Sequence, residues 1–231
     1  GVGLIKILAI ASHTDDEVLG VGGTIARLSG EGHEICILIL GEGVTSRSPS
    51  RKDADKEAVK ALRSRAAEVA GFLGAADIRF GDLPDNRFDT KSLLEIIKGI
   101  ESVIADFQPE VVYTQHGGDL NIDHVITYRA TLTATRPLTG CPVREVYAYE
   151  VGSSTEWAFG QFAPAFRPNT FVDISGEYLE RKIQAMQMYE SEARPFPHPR
   201  SPEALRAQAM VLGVQAGLMA AEAFRIVRSM R

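Results

Sequence analysis

Cysteine is scarce in this sequence, with only Cys36 and Cys141 in 231 residues. They stand far apart and form no CxxC pair, which excludes a disulfide framework and a cysteine-based zinc site. Long apolar runs are missing too. Nothing approaches the ~20 uninterrupted apolar residues of a membrane span, and Gly1-Val2-Gly3-Leu4-Ile5-Lys6 enters a strand-like run without a signal-peptide pattern, so a cytoplasmic chain without a transmembrane segment is expected. Basic blocks are absent. The 25 Lys and Arg face 30 Asp and Glu, for a formal net charge of −5, which argues against a nucleic-acid partner. With no repeat and no linker, and with 45% apolar and 24% charged residues, one domain spanning residues 1–231 is expected.

What is present is an alternation of short Val- and Ile-rich runs with helical stretches. This predicts an α/β, Rossmann-like layer structure with a mostly parallel sheet flanked by helices. Strands are expected over 4–11, 34–40, 78–80, 111–114, 143–150 and 171–174. Helices are expected over 20–28, 53–73, 90–107, 123–135, 178–189 and 202–230. The Gly-Ser-Thr-Pro loop over 41–51 is long enough to be functional. The segment Arg194-Pro195-Phe196-Pro197-His198-Pro199 cannot be helix.

Chemistry concentrates in two loops. Ser12-His13-Thr14-Asp15-Asp16-Glu17 places an imidazole and three carboxylates at the carboxyl edge of the sheet, where open α/β folds bind ligands. Adjacent carboxylates repel each other, and a nearby cation is the simplest way to keep Asp15 and Asp16 ionised together. A second cluster, His116-Gly117-Gly118-Asp119-Leu120-Asn121-Ile122-Asp123-His124, follows another strand and is expected at the same edge. Two histidines and one carboxylate with open positions suit catalytic Zn²⁺ and also Fe²⁺.

Ser12 to Glu17 resembles the (A/P)HPDDE motif of the PIG-L, or LmbE-like, family of zinc-dependent N-deacetylases, departing from it at Thr14. Asn121-Ile122-Asp123-His124 is similar to the family's second motif, HxDH, at its Asp and final His. The likeness extends to Gly20–Thr24, Arg65–Gly71, Leu83-Pro84-Asp85-Asn86 and residues 221–225, AEAFR. It implies His13, Asp16 and His124 as metal ligands and Asp15 as general base, in hydrolysis of the amide of an N-acetylated sugar or glycoconjugate. It also implies that Arg65 and Asp85 border the sugar pocket, and Arg47 is a candidate phosphate contact. Asn121 stands where many members carry a histidine for the oxyanion, which leaves that role to Asn121 or to His116. Asp123 either orients an imidazole such as His116 or caps its helix. Glu17 is assigned a supporting role or a place at the helix dipole.

Other readings compete with this one. Asp15 and Asp16 can act as helix-capping acids, but that accounts for one carboxylate rather than all. Gly20-Val21-Gly22-Gly23 lacks the spacing of a dinucleotide loop and points to close helix packing. Trp157, Phe159, Phe162 and Phe166 suit core filling, a sugar platform or a homo-oligomer contact. An acidic pair after the first strand also occurs in Mg²⁺-binding phosphoacceptor modules, where two histidines would have no work around a hard ion. A metal- or sugar-binding protein without turnover is the remaining alternative.

Overall fold

The computed structural model describes residues 3–43 and 56–231. The first half runs β1 (Lys6–Ala11), α1 (Asp16–Gly30), β2 (Glu34–Gly41), α2 (Lys56–Leu73), β3 (Asp77–Leu83), α3 (Leu93–Phe107), β4 (Val111–Gln115) and α4 (Ile122–Ala134). The second runs β5 (Glu145–Tyr149), β6 (Thr170–Asp173), α5 (Glu177–Met188), α6 (Pro202–Ala216) and β7 (Ala221–Ser229).

Strands β1 and β2 are apolar on both faces because both faces are covered. Ile7, Ala9 and Ala11 join Ile35, Ile37 and Ile39 in the core beneath α1, α2 and α5. The alternate residues Leu8, Ile10, Cys36, Leu38 and Leu40 meet α3 and α4 on the other side. The sheet order is β3-β2-β1-β4-β5-β7-β6. The first five strands are parallel, and β7 runs antiparallel to both β5 and β6. Since β1 pairs with β2 on one side and β4 on the other, the winding reverses there. The crevice outside the carboxyl ends of β1 and β4 is the usual ligand position of such a sheet.

The C-terminal stretch differs from the sequence expectation of one helix over 202–230. Helix α6 stops at Ala216, where Gly217 takes φ 70 and its N–H returns to the last turn, as glycine does at helix ends. Residues 221–229 then form β7, whose alternating second half fits a strand at the sheet margin. The glycine cluster packs closely, as expected: a Cβ on Gly20 would lie 2.1 Å from the Tyr149 ring and one on Gly23 2.9 Å from Ile174. Among the described residues no helix is long and apolar enough to cross a membrane.

A buried ion pair ties α1, α5 and β7 together. Lys182 Nζ lies 2.7 Å from Glu222 and donates to the Leu19 carbonyl at 2.8 Å, while Glu222 accepts the N–H groups of Gly23 and Thr24 at 2.9 and 2.7 Å. Removing one partner strands the other charge. Lys182→Met is therefore expected to lower unfolding free energy by about 3 kcal/mol, as a reduced midpoint in denaturant titration; an unchanged midpoint would show that Glu222 is sustained by its backbone donors alone.

Candidate metal centre

The first loop leaves β1 at Ser12, whose hydroxyl meets the Thr127 hydroxyl of α4 at 2.7 Å and whose carbonyl accepts the Gly41 N–H at 2.8 Å. A Cβ at Gly41 would stand 2.7 Å from that carbonyl, so glycine permits the approach of β2. Asp15 follows in the left-handed region at φ 85, a conformation uncommon outside glycine. Its carbonyl, accepting from Val18 and Leu19, opens α1, while its carboxylate makes no capping hydrogen bond. The carboxylate is thereby left for other work.

His13, Asp16 and His124 converge from the two loops, and one donor atom from each lies within 4.8 Å of the others. His13 Nδ1 and His124 Nε2 are each 3.2 Å from Asp16 Oδ2. Ligands held at about 2.0–2.1 Å in tetrahedral directions stand about 3.4 Å apart, so the three atoms fit around one small cation. His124 Nε2 is buried and has no directed hydrogen bond, whereas a core histidine is normally satisfied, so this nitrogen is available to a cation. Burial works to raise the Asp16 carboxyl, but the imidazoles of His124 and His13 beside it hold it well below the usual carboxylate range. Burial works to lower His124, and Asp16 and Asp119 outweigh it, pushing it up to about 9. The carboxylates that draw protons to these imidazoles would equally favour a divalent cation, which binds the neutral rings and releases those protons.

Supporting residues fix the candidate ligands. Asp123 Oδ2 is 2.8 Å from His13 Nε2, and its Oδ1 accepts the Phe88 N–H at 3.0 Å. Asp123 thus holds His13, on the other loop, rather than His116. Asp119, to which the sequence reading gave no role, holds His124 Nδ1 at 3.1 Å and accepts hydrogen bonds from Ser154 and Thr155. Gln115, also missed, donates to Asp16 at 2.8 Å. Histidine ligands backed by carboxylates are oriented and made more basic. Asp119→Ala is accordingly expected to weaken metal binding by about 10- to 100-fold in competition with a chromogenic chelator, with the fold retained; wild-type affinity would show that His124 needs no such support.

The triad faces a polar cavity of about 310 Å³ whose lining includes Asp15, Asp85, Asn86, Asn121, Glu192 and Arg200. Asp85 Oδ1 stands 3.2 Å from His13 Nε2. Asn121 caps α4, accepting from the Asp123 N–H at 2.9 Å, and donates to Asn86 at 3.0 Å. His116 is not in the cavity lining; its Nε2 is 2.7 Å from the Pro164 carbonyl and its ring meets Phe166 edge-on. Arg65 pairs with Glu68 at 2.6 Å, and its half-exposed side chain is likewise outside the lining. Glu17 receives the Tyr189 hydroxyl at 2.5 Å, and burial pushes its carboxyl up to about 7. Arg47 lies outside the described residues.

The chain is similar to an uncharacterised deacetylase, YaiS, of Escherichia coli K12, with 31% identity over 80% of this chain and 90% of that protein. It is 27% identical to a diacetylchitobiose deacetylase of Thermococcus kodakarensis over 96% of this chain and 83% of the other. Among solved structures, the 4-carboxy-2-hydroxymuconate hydratase GalB of Pseudomonas putida KT2440 superposes with a TM-score of 0.76 at 23% identity, covering 99% of this chain and 98% of that one. A shared fold does not fix the reaction, which depends on the residues of the site. The family model described as PIG-L, GlcNAc-PI de-N-acetylase, matches residues 8–135, a span that begins in β1 and holds the whole His13, Asp16 and His124 cluster, and the chain belongs to this family.

Proposed function

We propose that this protein is a metal-dependent hydrolase that removes the acetyl group from an N-acetylated amino sugar, free or carried on a nucleotide, a lipid or a glycoconjugate. The observation that carries the reading is a carboxylate beyond the ligand set. Asp15 sits next to Asp16 and lines the same cavity, yet it belongs to neither candidate ligand group and its carboxylate makes no capping hydrogen bond to α1. A site that only stored a metal would have no use for it, whereas hydrolysis needs a base. The relative named a diacetylchitobiose deacetylase supports the amide of an amino sugar as the bond broken.

His13, Asp16 and His124 would hold Zn²⁺, with Fe²⁺ the alternative for the same donors. Bound there, Zn²⁺ would supply a Lewis acid able to lower the pKa of a water from 15.7 to about 7. Asp15 then needs only to accept a proton from water during attack on the acetyl carbonyl, and afterwards to return it to the departing nitrogen as the C–N bond breaks. Acetate and a free amino sugar leave. The Asn121 amide carries two N–H donors, of which one is engaged by Asn86; the other is assigned to the developing oxyanion. Asp85, at the cavity wall, is assigned to sugar hydroxyls.

The test is acetate release from free, nucleotide-linked and lipid-linked N-acetyl sugars, with zinc added or chelated. Chelator-sensitive acetate from one class establishes the reaction and its carrier. No acetate from any class, with one metal bound per chain, would overturn the reading in favour of a binding protein.

A further inference from the structure

The proline-rich connection between α5 and α6 does more than cover the molecule. It carries Arg200 to the cavity, where Nη1 stands 2.9 Å from Asp15 Oδ2. That oxygen is buried and has no directed hydrogen bond of its own, and it belongs to a residue held in the left-handed conformation. An aspartate with so little local support would turn easily, and Arg200 is what opposes it.

Arg200 is itself fixed from several sides. Nη1 also reaches Glu192 Oε2 at 3.1 Å, Nε donates to the Ser153 hydroxyl at 3.1 Å, and its backbone N–H donates to His198 Nδ1 at 3.1 Å. The next residue, Ser201, caps α6 by accepting from the Ala204 N–H, so the guanidinium is delivered from the start of a helix rather than from a loose loop. A planar fork held along its length presents its charge in one direction, which a lysine on a flexible stem does not.

We propose that Arg200 is a positioning residue that clamps the Asp15 carboxylate toward the reacting water beside the His13, Asp16 and His124 cluster. The role rests on the deacetylase reading above. Arg200 takes no proton and binds no metal; it acts through Asp15, while Glu192 and Ser153 act through Arg200. Since the guanidinium is already engaged by two carboxylates, it is not a free anion site for the substrate. A base displaced by as little as 1 Å loses about two orders of magnitude in rate.

Arg200→Gln and Arg200→Lys separate this role from simple anchoring of the connection. Arg200→Gln is expected to lower kcat by about 100-fold with KM and metal content close to wild type. Arg200→Lys is expected to recover part of that loss, since it restores the charge without the fork. A lowered thermal midpoint with unchanged kcat for the folded fraction would make Arg200 a structural anchor and overturn the proposal. Crystal structures of both variants give a readout independent of turnover: the Asp15 carboxylate swings away in Arg200→Gln if the clamp exists and keeps its wild-type direction if it does not. If the wild-type protein releases no acetate from any sugar, the deacetylase reading fails, and the direction of Asp15 in Arg200→Gln still decides whether the clamp exists.

Discussion

Replacing His124 with alanine is expected to abolish both metal binding and acetate release while leaving the fold intact. His124 Nε2 is one of the three donor atoms gathered at the candidate metal position, and its other nitrogen is already committed to Asp119. Without the ring, His13 and Asp16 remain as a two-ligand site, and affinity should fall by more than the 10- to 100-fold typical of losing a supporting residue. The fold survives because Asp16 keeps the His13 backbone N–H at 2.9 Å and the Gln115 amide at 2.8 Å. Circular dichroism should therefore match wild type while metal analysis after dialysis finds none. A variant that retained one metal per chain would move the ligand set away from His124. The second group of donors, His13, Asp85 and Asp123, would then be the place to look.

Much of this arrangement is legible in the sequence because it depends on local order. Strands β1 and β4 are short apolar runs, and each ends directly in a cluster of His and Asp, so their carboxyl edges and their chemistry are read together. The winding that brings those edges side by side follows from parallel strands with right-handed crossovers. What escaped were pairings between distant segments. The partner of Asp123 is His13, 110 positions away, and no spacing within the second loop points to it. Asp119 and Gln115 were in plain view beside the motif, but their targets are set by how α4 packs over β1 and β4. Arg200 lies in a segment whose prolines exclude helix, and nothing in its composition says that it reaches Asp15. The last strand was missed for a different reason. Alanines over 204–223 favour helix, and only Gly217 marks the break, after which β7 is stabilised by pairing with β5 and β6 rather than by its own propensity.

Asp15→Asn is expected to separate binding from chemistry, the converse of the His124 result. The substitution keeps the shape of the side chain and removes its capacity to accept a proton, so the loss should appear in kcat, by about 10²- to 10⁴-fold, with metal content unchanged. The metal is spared because Asp15 contributes no atom to the cluster of His13, Asp16 and His124. The fold is spared because the Asp15 backbone, rather than its carboxylate, opens α1, and because Arg200 keeps Glu192 as a partner. Burial with like charges around it pushes the Asp15 carboxyl up, against the pull of Arg200, so its replacement by a neutral amide removes a strained charge and should not destabilise the protein. Asp16→Asn is the control: it alters the oxygen shared by both imidazoles and should lose metal and turnover together. If Asp15→Asn kept wild-type turnover while Asp16→Asn lost it, the base would have to be another group at the cavity, and Glu192 and Asp85 are the carboxylates there to take the role.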